Sequence, residues 1–440
     1  MISLPLQRQP VKIFLLTATV LLIVLMAGIS IIYITTPKNH FTINQNFLGW
    51  LGWVTLTTST LYISFTYKKE CLLIFFFFLI FGYFSKAYLE PLSDQVDHLH
   101  FTYQHICKNI DTGGRLDVGL WQYNMNSLFL CESDKKIIDP EVKLFLVDIL
   151  HGLYIAFAST ILYCVSRNSG LPPKWSFLSV IIAILFMGTN RFSYFRYYSY
   201  GPSFTSLCIY WIWISAFFFS KKIRNILYGV LLYIPATIIL LVNHMQESVF
   251  LTFILFFWLI INLTEKICLS KNDKKNFCIW GTILFSFFFL FPQFQWGQNI
   301  FHSIINLFPI SLSSIWEKNR NLVYYWNNIH IMGKIWIPQY RVMDTIGFVG
   351  FIPLILTPLL FFYKQGRFSK EAQKRIILLG TLPFLIYCTP LCHYLWAAHV
   401  QAFVYYRIAY ISLFWIIITY FLYLIETWIL NYLKTKPTQN

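Results

Sequence analysis

Two aspartates three residues apart, Asp94 and Asp97, open the stretch Pro91-Leu-Ser-Asp94-Gln-Val-Asp97-His98-Leu-His100-Phe-Thr-Tyr103. On a helix that spacing puts both carboxylates on one face. Such a pair can take a proton from an acceptor hydroxyl as a general base, or hold a divalent cation, Mg2+ or Mn2+, against a phosphate. The plainer alternative is a wet helix cap. The chain continues through His98, His100, His105, Asp111 and Asp117, more titratable groups than a cap requires, and that density favours a site.

Further clusters carry complementary chemistry. Arg191 and Arg196 lie in the aromatic run Asn190–Tyr200; guanidinium pairs bidentately with phosphate and flanking Tyr rings can stack on a sugar, although interfacial anchoring explains the same composition. Arg407 follows His399, Tyr405 and Tyr406 and begins deep in an apolar run, where an ionisable group is a functional candidate. His244 and Glu247, three apart, suit a hydrogen-bonded His/carboxylate pair, two ligands to one metal, or a polar hairpin turn. Asp148 and His151 repeat that spacing about two turns into another apolar run, where an acid is costly unless paired or wet. Asp148 is expected to line the same cavity. The phosphate-binding loop, dinucleotide fingerprint, HExxH and GxSxG patterns are missing, which argues against nucleotide hydrolysis.

The elements that would position these groups are membrane helices. A chain of 440 residues that is 57% hydrophobic and 12% charged is too apolar for a soluble domain. Apolar runs of spanning length occur near 13–35, 48–66, 71–89, 143–165, 174–189, 203–220, 225–243, 247–264, 277–294, 345–363, 376–395 and 402–425. The net charge of +16 sits in short clusters between these runs, which excludes a nucleic-acid groove and reads as topology. Alternation puts Arg8/Lys12, Lys68/Lys69, Arg167/Lys174, Lys221/Lys222/Arg224 and the later basic loops on the cytoplasmic side with both termini. The expectation is an all-α polytopic membrane bundle of about 12 helices in one domain, 1–440. Long extracytoplasmic loops at 90–142 and 295–344 would form a small cap. Trp296, Trp316, Trp326 and Trp336 suit a loop lying on the headgroup layer. Nine cysteines form no CxxC pair, but Cys107 and Cys131 share one loop and could form a disulfide if that loop is extracytoplasmic.

The acid-led stretch Ser93-Asp94-Gln-Val-Asp97-His98-Leu-His-Phe at the head of a long outer loop resembles the GT-C superfamily of polyprenyl-phosphate-sugar-dependent glycosyltransferases. The continuation from Asn109 through Gly113-Gly114-Arg115 to Trp121-Gln-Tyr-Asn124 is similar to the glycine-then-tryptophan stretch of bacterial members. The acid follows the third expected span here, whereas GT-C members usually present it after the first. The resemblance implies a multi-pass protein of the bacterial inner membrane that transfers a sugar from a polyprenyl-phosphate carrier, with inversion, to an extracytoplasmic glycan or lipid acceptor. It implies that Asp94 or Asp97 is the base, with Asp94 preferred, and that Arg196 and Arg407 hold the lipid-linked phosphate. His98, Asp148, Arg191, His244, Glu247 and His399 complete the expected substrate-binding set. Two other readings stand beside it. A polysaccharide polymerase or ligase would place its key groups in the later loop, among His302, Lys318, Arg320, His330, Lys334 and Arg341. A lipid-oligosaccharide flippase or other transporter would share the twelve-helix topology.

Overall fold

In hydrocarbon a backbone must satisfy its own polar groups, so long apolar runs become helices. The computed structural model describes residues 8–36, 43–88, 93–107, 119–131, 140–186, 199–219, 223–266, 375–377, 379–380 and 412–435, and among them there is no strand. These residues divide between two compact units, Met1–Ile184 with Arg191–Leu255, and Leu185–Asn190 with Phe256–Asn440. The helices are α1 (Arg8–Thr35), α2 (Gln45–Ser64), α3 (Lys68–Tyr88), α4 (Ser93–Phe101), α5 (Leu120–Leu130), α6 (Pro140–Asn168), α7 (Pro173–Phe186), α8 (Pro202–Trp213), α9 (Ile223–Asn243), α10 (Met245–Lys266) and α11 (Phe414–Thr435).

Four stretches among the described residues are long and apolar enough to cross a membrane: Gln9–Thr35, Phe145–Asn168, Asn225–Asn243 and Trp415–Leu433. Three fall on the expected runs 13–35, 143–165 and 225–243. The fourth overlaps only the end of 402–425 and continues beyond it. Shorter apolar helices occupy Pro173–Leu185, Pro202–Phe218 and Glu247–Phe256. Large apolar side chains point outward from α1 (Phe14, Leu21), α2 (Trp50, Leu61), α3 (Leu73, Phe76) and α9 (Leu227, Leu231), while Ser, Thr, Asn and Gln lie buried. That distribution inverts a soluble bundle and suits a lipid surround.

Within the first unit α3 packs along α6, closely enough that a Cβ on Gly82 would meet the Gly152 backbone. One end of this pair is fastened by charge: Arg167 lies 3.2 Å from Glu70, which also accepts a hydrogen bond from Tyr163 at 2.5 Å.

Inside the stretch 90–142, read above as an extracytoplasmic loop, the structure places a buried helix. All residues of α5 except Leu128 and Phe129 are buried, and the helix packs against α2, α6, α8 and α9. Eleven residues of helix rise roughly 16 Å, about half the hydrocarbon thickness. A helix too short to span is accommodated in an apolar interior where protein surrounds it and its polar groups are met. Gly119 turns the chain into α5 with φ +91°, a conformation costly for other residues, and a Cβ there would strike the Tyr123 ring and Pro202. The later loop 295–344, with its tryptophans and the residues from His302 to Arg341, lies outside the described residues.

Candidate functional site

The site is organised around the side chains of α5. Trp121 and Met125 make the helix fit an apolar interior, with the Trp121 indole donating to Ser30 Oγ at 3.1 Å. Gln122, Asn124 and Asn126 would be prohibitive there without partners. The neighbours of Gln122 and Asn126 come from most of the surrounding chain. Gln122 Nε2 donates to Asn126 Oδ1 at 3.1 Å and to the Ser199 carbonyl at 3.4 Å. Its Oε1 accepts from the Thr205 backbone N–H at 3.1 Å and from the Thr205 hydroxyl. Asn126 Nδ2 donates to the Tyr200 carbonyl at 3.0 Å and to Thr102 Oγ1 at 3.4 Å, and its Oδ1 accepts from Tyr154 at 2.6 Å. Asn243 at the end of α9 accepts from the Gln122 backbone N–H at 3.1 Å and donates to the Pro202 carbonyl at 2.7 Å and Ser206 Oγ at 2.9 Å. Carboxamides carry donors and acceptors without net charge, so such a network can sit in a low dielectric.

The expected acids stand on α4, which leads into Thr102, a partner of Asn126 in this network. Asp97 is exposed, and Asp94 lies in the first turn of the same helix, its side chain outside the described ones. His98 Nδ1 lies 2.9 Å from the Tyr123 hydroxyl, a hydrogen bond whose direction follows the imidazole tautomer. The helix continues as a π-helical turn, Thr102–Cys107, in which the Thr102 hydroxyl donates to the His98 carbonyl at 2.9 Å. Cys107 is then joined by a disulfide to Cys131, the C-cap of α5. The pairing raised by the shared loop is therefore formed.

Two other expected clusters meet α5 from different directions. His244 Nδ1 lies 2.5 Å from Glu247 Oε2, and that carboxylate is 3% exposed. Of the three sequence readings the geometry gives the hydrogen-bonded pair, which becomes an ion pair when the imidazole is protonated. Its neighbour Asn243 carries the bond to Gln122, and the Gly119 N–H donates to the Val242 carbonyl at 3.1 Å, so the pair follows directly on the first turn of α5. On the α6 side, His151 Nδ1 lies 2.9 Å from Ser199 Oγ, and the Tyr200 hydroxyl donates to the Val147 carbonyl at 2.9 Å. Burial pushes the Tyr200 phenol well above its ordinary range, and the charge of nearby Asp148, then Tyr154, adds to the shift. Asp148 is half-buried there, one residue from the Val147 carbonyl.

The structure thus brings Asp97, His98, Asp148, His244 and Glu247 onto elements that share α5 as their support. Arg191, Arg196, His399 and Arg407 lie outside the described residues. Gln122, Asn126, Tyr154 and Thr205 were not singled out by sequence reasoning; a polar residue every second or fourth position in a short apolar segment is the signal they leave. Among the described residues no three His, Cys, Asp or Glu side chains gather where one metal ion could be held, and no ligand set is assigned. Compared with protein-family models, curated proteins and solved structures, the chain matches none of them.

Proposed function

We propose that the chain is an integral membrane glycosyltransferase of GT-C type, moving a sugar from a polyprenyl-phosphate carrier to an extracytoplasmic glycan or lipid acceptor. The observation that carries this reading is the fastening of α4, with its two acids, to a buried polar helix by the Cys107–Cys131 disulfide. Disulfides persist in oxidising compartments, so the bond supports an extracytoplasmic face for Asp94 and Asp97. That is the side on which an exported lipid-linked sugar is available.

In the proposed reaction an acceptor hydroxyl oxygen attacks the anomeric carbon of the sugar from the face opposite the leaving group. The carbon–oxygen bond to the carrier phosphate breaks, and configuration inverts. Asp94 or Asp97 takes the hydroxyl proton as the new bond forms. The departing phosphate gains charge, which Arg196 and Arg407 are proposed to neutralise. His98, held by Tyr123, and the His244–Glu247 pair would border the sugar, with hydrogen-bonding groups fixed in advance.

The test is sugar transfer by the purified chain, given polyprenyl-phosphate sugars and acceptor, with D94N and D97N compared in turn. Loss of the base should lower kcat by about a hundredfold or more while carrier binding persists. Full activity in both variants, with activity lost in R320A or R341A, would replace this reading with a polymerase or ligase. Carrier movement across a bilayer without transfer would replace it with a transporter.

A further inference from the structure

The helices that meet α5 also enclose two adjoining hollows that lead away from it toward the far end of the first unit. α1 gives Ser30 to Trp121 but Lys12 to the far end; α8 gives Thr205 to Gln122, and the turn that follows it gives Ser215 to the far end; α9 divides in the same way between Asn243 and Asn225. The first hollow is a polar pocket of about 210 Å³ whose lining includes Lys12, Thr66, Asn168, Ser215 and Asn225. The second is an apolar groove between α1, α2, α8 and α9, leading from Tyr62 and Ala216 toward Gly52 and Thr205. Tyr62 and Ala216 line both, so the hollows adjoin at these two residues.

We propose that they bind one anionic phospholipid, its phosphate in the polar pocket and a hydrocarbon chain in the groove. The pocket supplies cation and hydroxyl donors whose capacity is not spent within the described residues. Lys12 has no acid or acceptor partner there. Asn168 Nδ2 donates to Ser215 Oγ at 3.0 Å and to the Ser215 carbonyl at 2.9 Å, which uses Ser215 as an acceptor and leaves its hydroxyl proton to a ligand. Ser215 sits in a π-helical turn, Ile214–Phe218, an irregularity often found where a helix serves a site. Glu70, the acid beginning α3, is engaged by Arg167 and Tyr163, while exposed Lys68, Lys69 and Lys174 add positive charge to the same end.

The groove holds an independent sign. Thr19 is 4% exposed, lines the groove, and its hydroxyl has no hydrogen-bond partner. An unmet buried hydroxyl in an apolar channel is costly, and an ester carbonyl of a lipid is an acceptor that would meet it. Thr19 stands roughly 10 Å along α1 from Lys12, in the direction that a lipid runs from phosphate toward its chains. A free phosphate would satisfy Lys12 and leave Thr19 and the groove as they are.

The experiment is lipid retention. The full chain is exchanged in detergent against equal phosphatidylglycerol and phosphatidylcholine, with retained lipid counted by native mass spectrometry. One phosphatidylglycerol per chain is expected in preference to phosphatidylcholine. K12Q, at an exposed position, should weaken phosphatidylglycerol retention about fivefold, the equivalent of roughly 1 kcal/mol for one lysine at an anionic surface, with the melting temperature unchanged. A216F should abolish retention of both lipids. Equal retention of the two lipids, an undiminished preference in K12Q, or displacement of the lipid by millimolar inorganic phosphate would each overturn the proposal.

Discussion

Replacing Asn126 with Ala tests whether the α5 network is a structural support or a set of incidental contacts. The side chain is fully buried and takes part in four hydrogen bonds, accepting from Tyr154 and Gln122 and donating to the Tyr200 carbonyl and Thr102. Hydrogen bonds between membrane helices average about 0.6 kcal/mol, which would give roughly 2.4 kcal/mol for four. Stranding a partner costs more, about 1–3 kcal/mol for each buried group left unmet. Gln122 keeps the Ser199 carbonyl, and Thr102 keeps the His98 carbonyl, so the closest bonds lost are those of the Tyr154 hydroxyl at 2.6 Å and the Tyr200 carbonyl at 3.0 Å. The expected cost is about 3 kcal/mol, or roughly 10 °C in melting temperature for a unit of this size. The assay is thermal unfolding in detergent, followed by tryptophan fluorescence. N46A, on the exposed face of α2, should move the midpoint by no more than about 0.5 kcal/mol. Y154F should cost about 1 kcal/mol alone and little more when added to N126A, because both remove one bond. A shift below about 2 °C in N126A, or full additivity of the pair, would refute the reasoning.

Three further outcomes follow from the same geometry. The 24-residue separation of Cys107 and Cys131 implies that removing both thiols costs about 3 kcal/mol by chain entropy. In intact cells a membrane-impermeant maleimide should label this pair only after reduction; labelling before reduction, or only after permeabilisation, contradicts the assignment. H244A should destabilise the chain by about 3 kcal/mol by stranding the buried Glu247 carboxylate, and addition of E247Q should restore most of it; absence of that rescue in thermal unfolding would mean the pair is not coupled. The raised Tyr200 ionisation means that its contribution is fully present below the ordinary phenol value of 10.0 and falls as pH rises above it, because the unfolded chain ionises first. Y200F should flatten that alkaline loss measured between about pH 10 and 11, and an unchanged slope would count against it.

The long helices were legible because an uninterrupted apolar run of spanning length has one good solution in lipid: α1, α6 and α9 follow their runs closely. The His244–Glu247 pair was legible for a different reason, since an i,i+3 contact is local and needs only a helical turn. α5 was not. Trp121-Gln-Tyr-Asn-Met-Asn-Ser127 interleaves polar and apolar residues on all sides, and hydropathy assigns such a stretch to a loop. What makes it a buried helix is satisfaction by partners remote in sequence. Asn243 reaches Gln122 across 121 positions and Pro202 across 41, and Thr205 reaches Gln122 across 83. No window of sequence contains those pairs. Asp94 and Asp97 were recognisable by type and spacing, but their support was invisible for the same reason.

That support bears on how the proposed base could be held. α4 has nine residues, too few for an isolated helix to be stable in water, and a general base must keep its place to within a fraction of an ångström. Three ties lead from α4 and its π-helical extension: His98 to Tyr123, Thr102 to Asn126, and Cys107 to Cys131. All three end on α5 or its cap. α5 in turn is held by Gln122 and Asn126 to α8 and α6, and by its first turn to α9. Asp97 stands exposed on α4, while neutral carboxamides, which tolerate a low dielectric, hold α5 from within. In such an arrangement, loosening the carboxamides should disturb the acids without touching them. N126A would then lower transfer through a reduced kcat even where enough folded protein remains to bind the carrier, and C107S/C131S would lower it less, since it leaves the carboxamide bonds that hold α5 in place.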